Sequence, residues 1–330
     1  MTKGRIFSGM QPSGRFHLGN YMGALENWVR LQHEYECFFS IVDLHALTSS
    51  YSDTSKLQEN VMEMAIDWLS AGLDPEKNVI FVQSHVKEHA ELALLLGMST
   101  PLSWLERGPT YKDKLQNWSA QGKDNNTYGF LGYPVLMAAD IMLYKATCVP
   151  VGEAQSAHLE LTREIVRRFN YLYNREVFPE PQAVFSKAKV LPGIDGRKMS
   201  KSYGNTIPFG AGPEEMWERI RMMTTDPQRI KKTDPGHPEV CIVYAFHKVF
   251  NPEEYEEIGA RCRAGEIGCV ECKKRLAEKM NALLADIHTK REELSKKPEY
   301  IKEVLDYGAQ RARKEAEKTM AEVKTAMNVL

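Results

Sequence analysis

No apolar run long enough to span a membrane occurs in the 330 residues, and no apolar leader opens the chain. Both absences speak against insertion or export, so the chain is expected in the cytoplasm, with no membrane partner. Internal repeats and low-complexity tracts are missing too, which excludes a solenoid or a disordered array. Net charge is nearly absent: 43 Lys and Arg stand against 44 Asp and Glu, leaving −1 at pH 7. A nucleic-acid partner would therefore have to be held by local basic patches, not by the field of the whole molecule. Cysteine is sparse at 6 residues, too few for a disulfide scaffold. After Gly204 no β-rich run remains, only long charged helical stretches ending in 311–327.

What is present is a soluble α/β pattern with 43% hydrophobic residues, long for one domain and suited to two. Short β-rich runs at 5–8, 37–42 and 79–83 alternate with helical periodicity up to about Leu96, the pattern of a parallel sheet covered by helices. From Thr100 to about Asn170 the pattern is mostly helical, broken by a polar stretch at 121–128 and a strand at 148–151. The expected architecture is a Rossmann-like catalytic domain over 1–206 with a helical insertion at about 100–185, followed by an all-helical domain over 207–330.

Two motifs far apart describe a clamp for ATP. In the first, a strand runs into the turn Gly9–Arg15 and then into His17-Leu18-Gly19-Asn20, where Leu18, Met22, Leu25 and Val29 recur at helical spacing. A helix N-terminus after a strand presents free N–H groups to phosphate. Gly19 permits close approach of a nucleotide, while His17 and Asn20 can donate to phosphate or ribose. Read alone, the segment is equally an ordinary βα turn with a capping histidine. In the second, Lys198-Met199-Ser200-Lys201-Ser202 follows the turn-rich 193–197 and precedes Gly204-Asn205, so its lysines are expected on a mobile loop that swings onto a triphosphate.

A third signal lies at 133–144. On a helix, Tyr133, Met137, Asp140 and Tyr144 share one face, so one carboxylate projects from an apolar and aromatic wall. Such a carboxylate needs a donor. Most often that is a nearby cation, but the indole N–H, a donor with no acceptor function, also suits a flat pocket with one acceptor. Four of the cysteines, Cys241, Cys262, Cys269 and Cys272, follow C-x20-C-x6-C-x2-C, a spacing that can close one Zn²⁺ site or one iron–sulfur cluster. Cys37 and Cys148 lie in apolar runs and read as core. Arg261, Arg263 and 273–275 set basic residues around the four-cysteine segment.

With both motifs, the chain resembles the class I aminoacyl-tRNA synthetases. The likeness narrows to the tryptophanyl-tRNA synthetases through Phe7-Ser8-Gly9-Met10-Gln11-Pro12-Ser13-Gly14, Val42-Asp43-Leu44-His45-Ala46-Leu47-Thr48, Tyr133-Pro134-Val135-Leu136-Met137-Ala138-Ala139-Asp140 and Val149-Pro150-Val151-Gly152-Glu153. The resemblance implies activation of L-tryptophan by ATP and Mg²⁺, then transfer to the terminal ribose 2′-hydroxyl of tRNA(Trp). It implies catalytic roles for Gln11, His17, Lys198 and Lys201. It places ATP on Gln11, Pro12, Ser13, His17, Gly19, Asn20, Gly152, Glu153, Ala154, Val190, Lys198, Met199, Ser200, Lys201 and Ser202. Tryptophan would meet Phe7, Gly9, His45, Tyr133, Met137, Asp140 and Gln155. Lys112 and Lys114 match a lysine-bearing segment able to reach the phosphates, or else form a charged helix face.

The family commonly has an acidic residue where this chain has Ala154. A subset of the family holds a 4Fe–4S cluster on a similar cysteine pattern, which favours the cluster over zinc and, third, free thiols; the helical domain resembles the family's anticodon-binding part, and the basic residues around the cysteines point to a cluster that organises that surface or else to a structural staple. A homodimer formed through the insertion is implied by the family alone. The competing readings are a tyrosyl-type synthetase, which shares the fold and both motifs, and a non-catalytic RNA-binding or redox-sensing paralogue, which would have no need of the lysine clamp.

Overall fold

The computed structural model describes residues 3–120, 126–152, 156–185 and 191–329. Five parallel strands form one sheet in the order β3-β2-β1-β4-β5: β1 (Arg5–Met10), β2 (Glu36–Ile41), β3 (Val79–Val82), β4 (Cys148–Val151) and β5 (Gln182–Phe185). Strand direction and order make this a Rossmann-like α/β fold. The order reverses between β1 and β4, where an open parallel sheet leaves a crevice beyond its strand ends.

The inner strands are near-continuous apolar runs because both faces of the sheet are covered. Alternation along them then splits the core in two. Ile6, Cys37, Phe39, Ile41, Ile80 and Val82 face one hydrophobic cluster with Trp28 and Trp68, whose rings meet edge to face at 5.1 Å. Phe7, Phe38, Val79 and Phe81 face the other, with Tyr144 stacked on Phe38 at 4.6 Å. Burying each such aromatic stabilises the fold by about 2–3 kcal/mol.

The helices follow in chain order. After β1 come α1 (Leu18–Asn20), a π-helical turn (Tyr21–Leu25) and α2 (Glu26–Leu31). Next are α3 (Asp43–Ser50), α4 (Leu57–Ser70), α5 (Glu88–Gly97), α6 (Leu102–Glu106), α7 (Pro109–Ala120), α8 (Tyr128–Leu143) and α9 (Ser156–Leu172). Beyond the sheet lie α10 (Pro213–Arg221), α11 (Ile242–Phe250), α12 (Tyr255–Arg263), α13 (Cys269–Ser295) and α14 (Pro298–Met327).

The segment after 206 is helical, and its last two helices return to the sheet. Leu276, Met280 and Leu284 of α13 join the first cluster, while Ala309, Ala312 and Ala316 of α14 join the second. Gly308 marks the closest approach, since a Cβ there would overlap the carbonyl of Ile80. Two differences from the sequence reading concern the strands. β1 runs on through Met10, so the tight turn begins two residues later than the glycine suggested, and β5 was not expected. β5 is a four-residue edge strand with no fully buried position, which leaves no alternation to read. Among the described residues, no helix is long and apolar enough to cross a membrane.

Candidate active site

The crevice at the β1/β4 reversal holds a cavity of about 550 Å³. Its walls come from the end of β1 (Phe7, Gly9, Gln11), the end of β4 (Val149, Gly152), and α8 (Tyr133, Met137, Asp140), with His45 entering from α3. The face read from 133–140 is therefore real. Tyr144, the fourth residue of that face, ends the helix inside the protein and is fully buried instead. His158 of α9 also lines the cavity and bonds the Tyr133 hydroxyl at 2.7 Å, a partnership between distant segments that no local pattern announces.

Asp140 is 1% exposed. Its partners are two histidines and an amide in place of the usual lysine or arginine. Gln83 Nε2 donates to Oδ1 at 2.7 Å, His89 Nδ1 meets Oδ1 at 2.6 Å, and His45 Nε2 meets Oδ2 at 2.8 Å. Burial alone would raise its pKa, but His45 and His89 outweigh burial and hold it down at about 2. The group is thus an ionised acceptor at neutral pH. Sequence reading did not include Gln83 and His89. The available signal was weak: polar residues just past the carboxyl end of an apolar parallel strand, where ligands are bound.

Beside the cavity, the two motifs meet as the two sides of a clamp. The segment 207–209 pairs with the first loop through Leu18 N–H to Ile207 O at 3.0 Å and Phe209 N–H to Phe16 O at 2.9 Å. Gly19 sits where the loops touch, and a Cβ there would come within 3.0 Å of His17 Nδ1 and 3.3 Å of Met199 Sδ. His17 caps α1: its Nδ1 accepts from the Asn20 N–H, while its own N–H donates to Asn20 Oδ1. Burial and the charge of Lys201 push the His17 pKa down to about 4, so the ring is neutral and carries its proton on Nε2. The capping reading and the ligand reading are compatible, because the cap uses one nitrogen and leaves a donor on the other.

The lysine segment, expected on a mobile loop, is docked against the first loop. Lys201–Tyr203 is a short 3₁₀ turn, Met199 is 5% exposed in the first core cluster, and Asn205 staples the segment by accepting from Ser200 N–H at 2.8 Å. Lys201 Nζ donates to Gly14 O at 2.9 Å. Burial lowers its pKa to about 8, with the nearby Asp67 carboxylate pulling the other way. The loop is docked because an apolar anchor and a side-chain amide hold it on both flanks of the lysine.

Pro12, Ser13, Lys198, Ser200 and Ser202 belong to these loops and lie outside the cavity wall. Lys112 is exposed on α7, which also carries Lys114. Glu153, Ala154, Gln155 and Val190 lie outside the described residues.

The cysteines gather where three helices meet. Cys241 caps α11, Cys262 ends near the last turn of α12, and Cys269 and Cys272 open α13. Burial, and then the charges of Cys241, Cys262 and Cys269, push the Cys272 thiol up to about 12, which places the four in one neighbourhood. Arg229 Nη1 reaches Cys262 Sγ at 3.5 Å. Among the described residues, no group of three or more His, Cys, Asp or Glu converges as a site for one metal ion. Cys37, at 1% exposure, is core as expected. The basic residues nearby are partly neutralised: Arg263 pairs with Glu239, Arg275 with Glu271, and Lys273 donates to the carbonyls of Arg221 and Met223.

Comparison with known proteins gives a consistent picture. Residues 2–285 match the family described as class I tRNA synthetases (W and Y). The tryptophan–tRNA ligase of Thermotoga maritima is 52% identical over 99% of both chains, and that of Aquifex aeolicus is 44% identical over 98% of this chain and 100% of its own. The tryptophanyl-tRNA synthetase of Campylobacter jejuni, solved with ADP and tryptophan, superposes with a TM-score of 0.89 at 38% identity, covering 98% of this chain and 100% of that one.

Proposed function

The chain belongs to the bacterial-type tryptophanyl-tRNA synthetases of class I, and from that premise we propose how its residues divide the work. The enzyme activates L-tryptophan with ATP to tryptophanyl-adenylate and pyrophosphate, then transfers tryptophan to the terminal ribose of tRNA(Trp). Relatives of that name at 44–52% identity over nearly the whole chain set aside the tyrosyl-type and non-catalytic readings.

Tryptophan occupies the β1/β4 cavity with its indole N–H on Asp140 and its ring among Phe7, Gly9, His45, Tyr133 and Met137, while Gln155 meets its ammonium or carboxyl end. ATP lies on Gln11, Pro12, Ser13, His17, Gly19 and Asn20, flanked by Gly152, Glu153, Ala154 and Val190, and is covered by the segment 198–202. The tryptophan carboxylate attacks the α-phosphorus in line, and the bond to the bridging oxygen breaks as pyrophosphate leaves. No side chain acts as nucleophile. Lys198 and Lys201 neutralise charge that builds on the phosphates, and the clamp fixes alignment. Mg²⁺, carried on ATP, supplies further countercharge. Lys201 must leave Gly14 O to do this, which keeps its ammonium poised a short swing from the triphosphate.

The observation that carries this reading is the docking of Lys201 on the first loop, beside a cavity whose described wall holds one acid. The test is exchange of labelled pyrophosphate into ATP with tryptophan, tyrosine or phenylalanine. Exchange with tryptophan alone, abolished by Asp140→Ala, is expected; equal exchange by that variant would remove Asp140 from the site.

We assign the four cysteines to a 4Fe–4S cluster over zinc. The ground is the C-x20-C-x6-C-x2-C spacing, which is similar to the pattern of the family's cluster-holding subset. Arg229 suits the negative charge of either group. A bound cluster would supply a rigid cross-link between α11, α12 and α13, and residues 207–330 would present it, with Arg261, Arg263 and 273–275, to the anticodon. Iron and acid-labile sulfide in anaerobically purified protein, with zinc absent, support the assignment. Cys269→Ser should lose the iron and weaken tRNA binding; unchanged tRNA affinity would leave the site a structural staple.

A homodimer would bury the exposed Met98 and Leu102 with Tyr128, which are 72%, 62% and 80% accessible on neighbouring helices. The cytoplasm is the compartment that fits ATP, tRNA and reduced thiols together.

A further inference from the structure

Asp140 is surrounded by groups that never reach the cavity. Gln83 is fully buried and its orientation is locked, because Oε1 accepts the His45 N–H at 3.4 Å while Nε2 donates to Asp140. His89 is fully buried, with Nδ1 on Asp140 and Nε2 2.7 Å from the Tyr144 hydroxyl. The Tyr144 ring is held between Phe7 at 5.6 Å and Phe38 at 4.6 Å, which leaves the hydroxyl no other direction. An ionised carboxylate only accepts, so His89 presents its Nδ1–H to Asp140 and meets the Tyr144 hydroxyl through Nε2. The result is a hydrogen-bonded chain that links Tyr144, His89 and Asp140.

A carboxylate offers about four acceptor positions. Two on Oδ1 are filled from behind by Gln83 and His89, and one on Oδ2 is filled by His45. One position remains, on Oδ2, the oxygen that His45 also meets, and both residues line the cavity.

We propose that Gln83, His89 and Tyr144 are specificity-determining positioning residues: they saturate the rear of Asp140 and aim its single open position at a ring N–H. This rests on Asp140 being the indole acceptor. A carboxylate held in this way offers no donor to a ring heteroatom and cannot rotate to satisfy itself elsewhere. A ring of the same shape without the N–H leaves it with an open buried acceptor, and loses accordingly. Removing the rear donors frees Asp140 to turn away, and the penalty for the missing N–H shrinks.

The test compares kcat/KM in pyrophosphate exchange for tryptophan and for its benzothiophene analogue, in which sulfur replaces the N–H in a ring of similar size. His89→Leu should cut the preference for tryptophan at least about tenfold, chiefly by raising the tryptophan KM. Tyr144→Phe should cut it about threefold, and His89→Asn, whose amide can restore the Nδ1 donor, should keep most of it. A purely structural role would lower both substrates equally and leave the ratio unchanged, which would overturn the proposal. Should His89→Leu fail to fold, Tyr144→Phe, which removes one oxygen from a stacked ring, decides alone. Asp140→Ala separates the two levels. A wild-type ratio in that variant sinks the acceptor assignment itself; a collapsed ratio there, with wild-type ratios in His89→Leu and Tyr144→Phe, sinks only the role of the rear donors.

Discussion

Asp140 and Asp67 are both sealed from water, at 1% and 3% exposure, yet the protein treats them oppositely. Asp140 lies on the β1/β4 cavity and is held down at about 2, because the charges and hydrogen bonds of His45 and His89 outweigh burial. Asp67 lies on α4 beneath the two motif loops, near Lys201 and Arg15. Burial raises it to about 6, although Arg291 Nε donates to it at 2.7 Å, and neighbouring Glu63 adds to the rise. A single cation shared with a second carboxylate does not replace the water that Asp67 has lost, whereas three short donors replace it for Asp140. In the function proposed above, the first reads a ligand. The second ties α13, whose other end carries Cys269 and Cys272 roughly 30 Å away at about 1.5 Å per residue, to the helix behind Lys201 and Arg15.

The largest separation between them should appear in activity. Asp140→Ala is expected to lower kcat/KM for tryptophan about a thousandfold or more, with a far smaller change in the KM for ATP. Asp67→Ala should reverse that order, with a few-fold effect on tryptophan and a larger one on ATP. Parallel effects on both substrates from both variants would mean that the two carboxylates do not serve separate sites.

Stability comes next. Asp67→Ala leaves the half-buried Arg291 with only Glu63, and should cost about 1–2 kcal/mol in denaturant unfolding. The pH dependence sharpens the contrast. Because the folded-state pKa of Asp67 is raised from 3.8 to about 6, its contribution is fully present below about pH 4 and is lost as pH rises through about 6. Asp140 has a lowered pKa, so its contribution is present above about pH 4 and is lost as pH falls towards about 2. Asp67→Asn should therefore gain on the wild type between pH 4 and 6, by at most about 3 kcal/mol. Asp140→Asn should instead flatten the acid limb below pH 4. Identical slopes for wild type and Asp67→Asn between pH 4 and 6 would refute the raised value.

The same comparison explains what the sequence could reveal. The apolar face of α8 and the two motif loops are local patterns, and Tyr133, Met137 and Asp140 line the cavity as their spacing implied. The inner strands were legible because a parallel sheet demands unbroken apolar runs. The partners of both carboxylates were not. Asp140 depends on residues 51, 57 and 95 positions away, and Asp67 on one 224 positions away. Such pairs leave no periodicity, since each half is simply a polar residue at the end or on the flank of its own element. The docking of the lysine segment was hidden for a related reason. Gly193, Gly196 and Gly204 advertise a turn, but only the fold reveals that Met199 sits in the core between them.

The smallest expected effect concerns Lys201. Its ammonium has an ordinary value of 10.5 that burial lowers to about 8, so in the ATP-free enzyme a growing fraction is neutral as pH rises past 8. A neutral amine cannot neutralise a phosphate, and ATP must supply the free energy to reprotonate it. The KM for ATP should therefore climb by a few-fold between pH 7 and 9 while kcat at saturating ATP stays nearly flat, because the bound triphosphate restores the charge. Lys201→Arg keeps a cation whose ordinary pKa lies far above this range, so that variant should show a flat KM across the same interval whatever its absolute activity. If the wild type is also flat, the lysine is better solvated than its seat on Gly14 implies. The ATP side would then lack the desolvated charge that makes it the counterpart of Asp140.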